Sequence, residues 1–168
     1  MDEMKATYNC ARNSRWPMYM PRLEEYVIGT VVKKLYDIVK VDIGAPEPAS
    51  LSLLNFEGAT KRNLPNIQVG DLVYGRVIHA SPLTEPEISC VDNLGKKAGM
   101  GQLTCDGLVF SITPEAVRML LAPNSSLLAD LGKKVAMETV IGLNGRMWVR
   151  AKSPTITLYI YQTILSVI

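Results

Sequence analysis

The chain has few of the residues from which metal centres, catalytic triads and disulfide frameworks are built. Its three cysteines, Cys10, Cys90 and Cys105, are odd in number and lack Cys-x-x-Cys spacing, and His79 is the single histidine. Zinc sites and histidine-dependent triads need more partners than this, and a disulfide framework needs paired cysteines. The composition therefore argues against these sites and is typical of a reducing compartment, the cytosol or the nucleus.

Long apolar runs and a strong excess of one charge are also missing. No apolar run reaches the roughly 18 residues that cross a bilayer, and the opening MDEMKATYNC has no apolar stretch of the kind found in secretory signals. Residues 26 to 105 hold eight basic and eight acidic side chains, and residues 106 to 168 hold six and four. Because tight RNA-binding domains usually have a strongly basic face, any RNA contact must come from a local patch or from partner proteins.

The 168 residues, 48% of them hydrophobic, suit one ordinary domain or two small ones. Residues 1 to 25 have no sustained periodicity and are interrupted by Pro17 and Pro21, so we expect a loosely organised lead-in. Residues 26 to 105 then contain five short β-rich runs, with one long loop between the third and the fourth. This layout predicts a small OB-type barrel. The runs are YVIGTVVKK, YDIVKVDI, ASLSLL, DLVYGRVIHA and EISCVD.

Residues 106 to 168 have a different pattern. A brief apolar strand, GLVFSI, is followed by a helix that begins at the cap Thr113 with Pro114 in its first position. A second short helix ends at Gly132, two strands follow, and Ser153-Pro154 starts a last helix whose isoleucines recur every four residues. The order strand, helix, helix, strand, strand, helix is that of a type I KH domain, an α/β fold.

The stretch GLNG, Gly142 to Gly145, has two readings. A Gly-x-x-Gly loop between two helices is the clamp with which KH domains grip four backbone nucleotides. In this chain, however, the tetrapeptide lies between two predicted strands, and Asn144-Gly145 is a strong signal for a two-residue hairpin turn. That register places Ile141 opposite Trp148. We therefore predict a turn, and a KH-type domain without its clamp loop.

The combination is specific enough to indicate a family. The stretches EPASLSLLNFEGATKRN, VGDLVYGRV, AGMGQL, DGLVF and VIGLNGRMWVRAKS, between Tyr26 and Thr157, resemble the RNA exosome cap subunits known as ribosomal RNA-processing protein 40, or exosome component 3. The resemblance implies a five-stranded OB barrel of the S1 type followed by the KH-type domain. It also implies that the Gly-x-Asn-Gly motif, here Gly142, Asn144 and Gly145, is structural and buried near the barrel.

The resemblance further implies a function and a set of partners. It describes a non-catalytic RNA-binding cap on a ring of RNase PH-like subunits that guides RNA to 3′-to-5′ degradation and rRNA processing. The expected partners are those ring subunits, other cap subunits and single-stranded RNA, bound weakly by this chain alone, with no membrane and no cofactor. The expected location is the nucleus, including the nucleolus, and the cytoplasm. The family also has a small N-terminal β domain, of which residues 1 to 25 would be a remnant, and a more polar C-terminus.

Five residues are candidate RNA contacts. Lys61 and Arg62 lie in the long barrel loop, where they are either phosphate contacts at the mouth of a pore or a solvated basic loop. Tyr36 and Lys40 share the non-core face of their predicted strand, where a base would stack on the ring and the ammonium would meet a phosphate. A contact between domains is the alternative there. Arg76 is assigned to the same surface.

The remaining candidates are structural. Trp148, with Arg146, Arg150 and Lys152 around it, is interpreted as packing of the hairpin, the alternative being a protein interface. We expect no catalytic residue and no metal ligand, because no cluster of carboxylates converges as metal-dependent nucleases require. A free-standing RNA-binding module in translation or ribosome assembly is the alternative function.

Overall fold

The computed structural model describes residues 19 to 104 and 106 to 167. They form two compact units, of which the first comprises the residues up to 104 together with Gly142–Asn144. The second comprises the residues from 106 onward apart from those three. The first 18 residues, which hold most of the predicted lead-in, lie outside the described ranges. No helix in the described part of the chain is long and apolar enough to cross a membrane.

The first unit is a closed five-stranded barrel, as the sequence and the resemblance predict. Neighbouring strands pair in the order β1-β2-β3-β5-β4, and β4 pairs with β1 to close the barrel. The β3–β5 pair is parallel and the other four are antiparallel, while β6 adds to β4 outside the ring of five. The strands are β1 (Tyr26–Lys34), β2 (Ile38–Asp42), β3 (Ala49–Ser52), β4 (Leu72–Ser81), β5 (Thr84–Ser89) and β6 (Gly101–Leu103).

The alternation of β2 fills the barrel interior. Val39, Val41 and Ile43 are fully buried, which confirms the core face that the period-two pattern predicts. Residues ahead of β1 also belong to this unit: Tyr19 packs against the barrel core and its backbone N–H donates to Gly44 O at 3.1 Å. The barrel unit therefore includes residues that precede the first predicted strand.

The second unit has the element order that a KH-type domain predicts. Its sheet has the order β7-β9-β8, and the last helix packs through Ile160 and Ile164 in one core with Met147 and Val149. The predicted cap is present, since Thr113 Oγ1 accepts a hydrogen bond from Ala116 N at 3.0 Å. The elements are β7 (Leu108–Ser111), α1 (Pro114–Leu121), α2 (Leu127–Lys134), β8 (Met137–Gly142), β9 (Arg146–Ala151) and α3 (Pro154–Val167).

The β8–β9 connection differs from the prediction by one residue. It contains three residues, 143 to 145, and only Gly145 among them has a positive φ, 79°. This is the common three-residue hairpin rather than the two-residue turn. Ile141 packs on the helix-side core, whereas Trp148, 3% exposed, is absent from that core. The predicted pairing of Trp148 with Ile141 is therefore wrong, because a one-residue shift changes the partners along the strand.

Trp148 packs instead against a glycine in its own unit. A Cβ atom at Gly107 would lie 2.2 Å from the indole Nε1, so only glycine leaves room for the ring. The indole N–H has no acceptor among the described residues. Of the surrounding cations, Arg150 pairs with Asp106, with Nε and Oδ2 3.2 Å apart. These contacts agree with a packing role for Trp148.

Candidate nucleic-acid interface

Lys61 and Arg62 occupy the tip of a closed four-residue turn in the loop between β3 and β4. Thr60 N donates to Asn63 O at 3.2 Å, and Asn63 N donates to Thr60 O at 3.0 Å and to Thr60 Oγ1 at 3.1 Å. Both cationic side chains are exposed, and neither forms an ion pair with any residue in the described ranges. The turn thus presents two adjacent positive charges that are available to phosphates.

Lys40 is not available in the same way. Its Nζ donates to Ser50 Oγ at 2.8 Å and forms an ion pair with Glu85, whose carboxylate also accepts from Ser50 Oγ at 3.1 Å. The hydrogen bond from Lys40 lowers the pKa of Glu85, which keeps the carboxylate charged. Because an adjacent carboxylate neutralises its charge, the predicted phosphate contact at Lys40 has no support in the structure.

Tyr36 lies outside the strand that the sequence assigns to it. Strand β2 begins at Ile38, and Tyr36 is in the preceding turn, which Leu35 N closes by donating to Ile38 O at 2.8 Å. The predicted strand face shared by Tyr36 and Lys40 is therefore wrong. The ring of Tyr36 is 95% exposed, so it remains accessible to a base.

Arg76 is a buried structural residue. It is 7% exposed, and its guanidinium donates to Glu24 Oε2 at 2.8 Å, to Asn93 Oδ1 at 3.2 Å and to Val91 O at 3.4 Å. These bonds tie β4 to the segment ahead of β1 and to the chain after β5. The assignment of Arg76 to an exposed RNA-binding surface is wrong. The alternation of residues along the strand did not show that the Arg76 side chain is buried among hydrogen-bond acceptors.

The first three residues of the Gly-Leu-Asn-Gly motif, 142 to 144, are bound into the barrel unit. Asn144 Nδ2 donates to Ile28 O and to Ile43 O, each at 2.8 Å, and Asn144 Oδ1 accepts from Ile28 N at 3.3 Å. Leu143 N donates to Tyr26 O at 2.8 Å. A Cβ atom at Gly142 would lie 2.8 Å from Ile28 N, which explains the glycine there. The motif serves packing and hydrogen bonding, and its backbone is not a solvent-exposed clamp.

Gly145 is needed for a second reason. Its φ of 79° is in the left-handed region, and a Cβ atom there would lie 2.9 Å from Ile112 O. Ile112 N donates to Gly145 O at 2.7 Å, so the backbone around this glycine is tightly held.

The carboxylates and the histidine do not assemble a catalytic site in the described ranges. No group of three His, Cys, Asp or Glu there could hold a metal ion. Asp92 Oδ1 accepts from the backbone N–H groups of Leu94 and Lys96 at 2.9 and 2.8 Å, as a turn-forming aspartate does. His79 Nε2 lies 3.0 Å from Thr84 Oγ1 at an exposed position. Nothing in this arrangement activates a nucleophile.

Four exposed lysines of the barrel unit were not among the candidates from the sequence, namely Lys33, Lys34, Lys96 and Lys97. Lys33 and Lys34 end β1 and Lys96 and Lys97 lie within the loop between β5 and β6, so each pair is at a connection between strands, as Lys61 and Arg62 are. The sequence does show pairs of adjacent cations beside predicted turns. It does not show that these pairs lie at the same end of the barrel, because that depends on how the strands pair.

Comparisons with known proteins agree with this architecture. The profile described as exosome complex component RRP40, S1 domain, matches residues 19 to 101, and a KH domain profile matches residues 107 to 155. A crystal structure described as that of an exosome complex RNA-binding protein has a TM-score of 0.69 and 22% identity. The match covers 88% of this chain and 86% of the other, and at this identity it shows the fold alone.

Curated relatives carry the same name as the S1 profile. Exosome complex component RRP40 from Mus musculus is 50% identical over 146 residues, and that from Homo sapiens 49%, in each case 87% of this chain and 53% of the relative. The Saccharomyces cerevisiae protein is 39% identical over 88% of this chain and 62% of its own length. This chain therefore spans about half of the length of the mammalian relatives. Across its S1 and KH domains, the chain belongs to the exosome complex component RRP40 family.

Proposed function

We propose that this chain is the S1 and KH portion of a non-catalytic RNA-binding subunit of the RNA exosome. In this role it caps the ring of RNase PH-like subunits, together with other cap subunits, and guides RNA to 3′-to-5′ degradation and rRNA processing. Its sites of action are the nucleus, including the nucleolus, and the cytoplasm. The names of its relatives and the matched S1 and KH domains support this proposal.

The observation that most directly supports RNA binding is the turn at Thr60–Asn63. Two exposed cations without ion-pair partners in the described ranges stand at its tip. The turn is closed by backbone hydrogen bonds, so little additional ordering of the backbone is needed when a phosphate binds. A cationic loop on an OB barrel is a common element of single-strand binding.

The test is charge reversal at Lys61 and Arg62 in an exosome reconstituted with this chain. The variant Lys61→Glu with Arg62→Glu should keep the melting temperature of the chain, because both side chains are exposed. RNA crosslinking to this subunit should fall severalfold. The matched control is Lys133→Glu with Lys134→Glu, an exposed lysine pair on α2. Equal crosslinking in wild type, variant and control would refute the assigned contact.

Membership of the complex is tested separately by purifying the full chain from cell extract. Recovery of RNase PH-like proteins supports the cap assignment. Recovery of ribosomal or assembly factors in their place, with tight RNA binding by the chain alone, supports a free-standing module. A near-neutral barrel predicts weak binding by the isolated chain.

A further inference from the structure

Three connections meet at one end of the barrel, which we call the loop end. It consists of the β1–β2 turn (residues 35 to 37), the β3–β4 loop (residues 53 to 71) and the β5–β6 loop (residues 90 to 100). Leu53 N donates to Asp37 O at 2.9 Å, which joins the first two connections. Lys97 N donates to Glu57 Oε2 at 3.0 Å, which joins the last two. Hydrogen bonds thus hold the three connections together.

Cations are concentrated at the loop end. They form three adjacent pairs, one on or beside each connection, and all six side chains are exposed. None of the six is in an ion pair with a residue that the structure describes. The pairs are Lys33-Lys34 at the end of β1, Lys61-Arg62 at the tip of the β3–β4 loop, and Lys96-Lys97 in the β5–β6 loop.

Most of the acidic side chains at the loop end accept hydrogen bonds from backbone N–H groups. Asp71 Oδ2 accepts from Gln68 N at 2.8 Å, and the carboxylates of Asp92 and Glu57 likewise accept backbone N–H groups. Asp37 is the remaining carboxylate and is exposed. Six cations therefore face four carboxylates, three of which are oriented by main-chain donors.

The opposite end of the barrel has the reverse balance. Glu24 and Glu25 precede β1, Asp42 ends β2, Glu47 lies in the β2–β3 loop, and Glu85 lies near the start of β5. The cations at this end besides Lys40 are Arg22 and Arg76, and Arg76 is paired with Glu24. The barrel cation Lys40 is paired with Glu85 and does not add to the positive end. A barrel whose formal charge is close to zero is thus polarised along its axis, with the positive potential at the loop end.

An exposed aromatic ring lies at this positive end. Tyr36 follows Lys33 and Lys34 within the same turn region, and its ring is 95% exposed. Aromatic rings beside cations are the elements with which OB barrels hold single-stranded nucleic acid, because bases stack while phosphates are neutralised. An acidic protein partner would use the charges but would have no need for the ring.

We propose that single-stranded RNA crosses the loop end, with a base stacked on Tyr36 and phosphates on Lys33 and Lys34. The path continues over the Lys61-Arg62 turn towards Lys96 and Lys97. This inference rests on the proposed function and extends it, since it assigns a base-binding position and two further phosphate contacts to the barrel.

The base contact is tested on the full chain with a 20-nucleotide oligouridylate at about 50 mM salt, a concentration at which phosphate contacts are strong. Tyr36→Leu should weaken binding by about tenfold, and Tyr36→Phe should retain it, because stacking needs only the ring. With an abasic ribose-phosphate strand of equal length, wild type and Tyr36→Leu should bind equally. A matched control is Tyr159→Leu, an exposed tyrosine on α3.

The phosphate contacts are tested by salt dependence. Lys33→Gln with Lys34→Gln should make the slope of log K against log salt shallower by about 1.4, the value for two contacts to a single strand. Lys133→Gln with Lys134→Gln should leave the slope unchanged. All of these side chains are exposed, so melting temperatures should agree and a fall in affinity will not reflect unfolding.

The outcomes separate this path from the proposed function. If Lys61→Glu with Arg62→Glu reduces binding while the Tyr36 and Lys33-Lys34 variants bind as wild type, the path is wrong and the proposed function stands. If Tyr36→Leu weakens the abasic strand as much as the normal one, the ring does not stack on a base and the inference fails. Polyglutamate displacing the RNA, with no effect of Tyr36→Leu, would identify an acidic-protein surface and also overturn it.

Discussion

The side chain of Asn144 takes the place of a peptide group beside Ile28. Its Nδ2 donates to Ile28 O at 2.8 Å and its Oδ1 accepts from Ile28 N at 3.3 Å, as a neighbouring strand would. Leu143 N donates to Tyr26 O, two residues earlier on β1. The same Nδ2 donates to Ile43 O at 2.8 Å. One asparagine thus satisfies three backbone groups, which accounts for a polar residue at a turn held within an apolar barrel unit.

Asn144 is expected to be important for stability. Asn144→Ala removes three hydrogen bonds and leaves carbonyl groups of Ile28 and Ile43 without this donor, so we expect a loss of about 2–4 kcal/mol in the free energy of unfolding. Asn144→Asp has the same shape but replaces the donor with an acceptor, so it should be at least as destabilising. Urea unfolding measures both.

The control for these variants is Asn124→Ala, at an exposed position between α1 and α2. It should change stability by less than about 0.5 kcal/mol. If Asn144→Asp were as stable as wild type, the donor role of Nδ2 would be refuted.

Two glycines should respond to alanine in opposite directions. At Gly142 a Cβ would lie 2.4 Å from Asn144 Oδ1 and 2.8 Å from Ile28 N, so Gly142→Ala must displace the turn and should cost about 2 kcal/mol or more. At Gly132, within α2, a Cβ meets nothing within 4 Å, so Gly132→Ala should stabilise by about 0.5–1 kcal/mol. Thermal unfolding of the two variants provides the comparison, and a shift of equal sign would contradict the described geometry.

Arg76 and Arg62 should separate stability from RNA binding. Arg76→Ala loses the bonds to Glu24, Asn93 and Val91 and should destabilise by about 2 kcal/mol, since Glu24 is 68% exposed and its charge stays solvated. Its RNA affinity, measured where the protein is folded, should be unchanged. Arg62→Ala should leave the free energy of unfolding unchanged and weaken RNA binding. A weakened salt slope in Arg76→Ala would restore Arg76 to the binding surface.

The thiol of Cys90 makes stability depend on alkaline pH. Burial raises its pKa from an ordinary 9.0 to about 12. The folded state therefore keeps a proton that the unfolded chain releases. This stabilising term is fully present below about pH 9 and falls by about 1.4 kcal/mol per pH unit between 9 and 12.

Comparison with Cys90→Ala isolates that term. The variant lowers stability at neutral pH through the lost packing, but its stability should fall less steeply above pH 9 than that of wild type. Tyr19 and Tyr74, whose pKa values burial also raises, titrate in both proteins and cancel in the difference. Parallel stability curves from pH 8 to 11 would show that the buried thiol does not contribute.

The sequence by itself determined the architecture. Period-two runs at Val39 and Val41, the caps at Thr113 and Ser153 and the punctuating turns depend on neighbours within a few residues, so they predict the barrel and the order of the KH elements. The same local signals identified a turn at Asn144-Gly145. They also placed Lys61 and Arg62 on an exposed loop, because a segment rich in Asn, Gly and Pro cannot form a buried strand.

Only the tertiary structure decided what each polar side chain does. The RNA contacts predicted for Arg76 and Lys40 have no support because Arg76 is bound to Glu24, 52 residues away, and Lys40 to Glu85, 45 residues away. Asn144 forms hydrogen bonds with Ile28 N, Ile28 O and Ile43 O, which are more than 100 residues away in the chain. Likewise, three lysine and arginine pairs far apart in the chain come to one end of the barrel. Such partnerships follow from strand pairing over long separations, which local pattern and propensity do not specify.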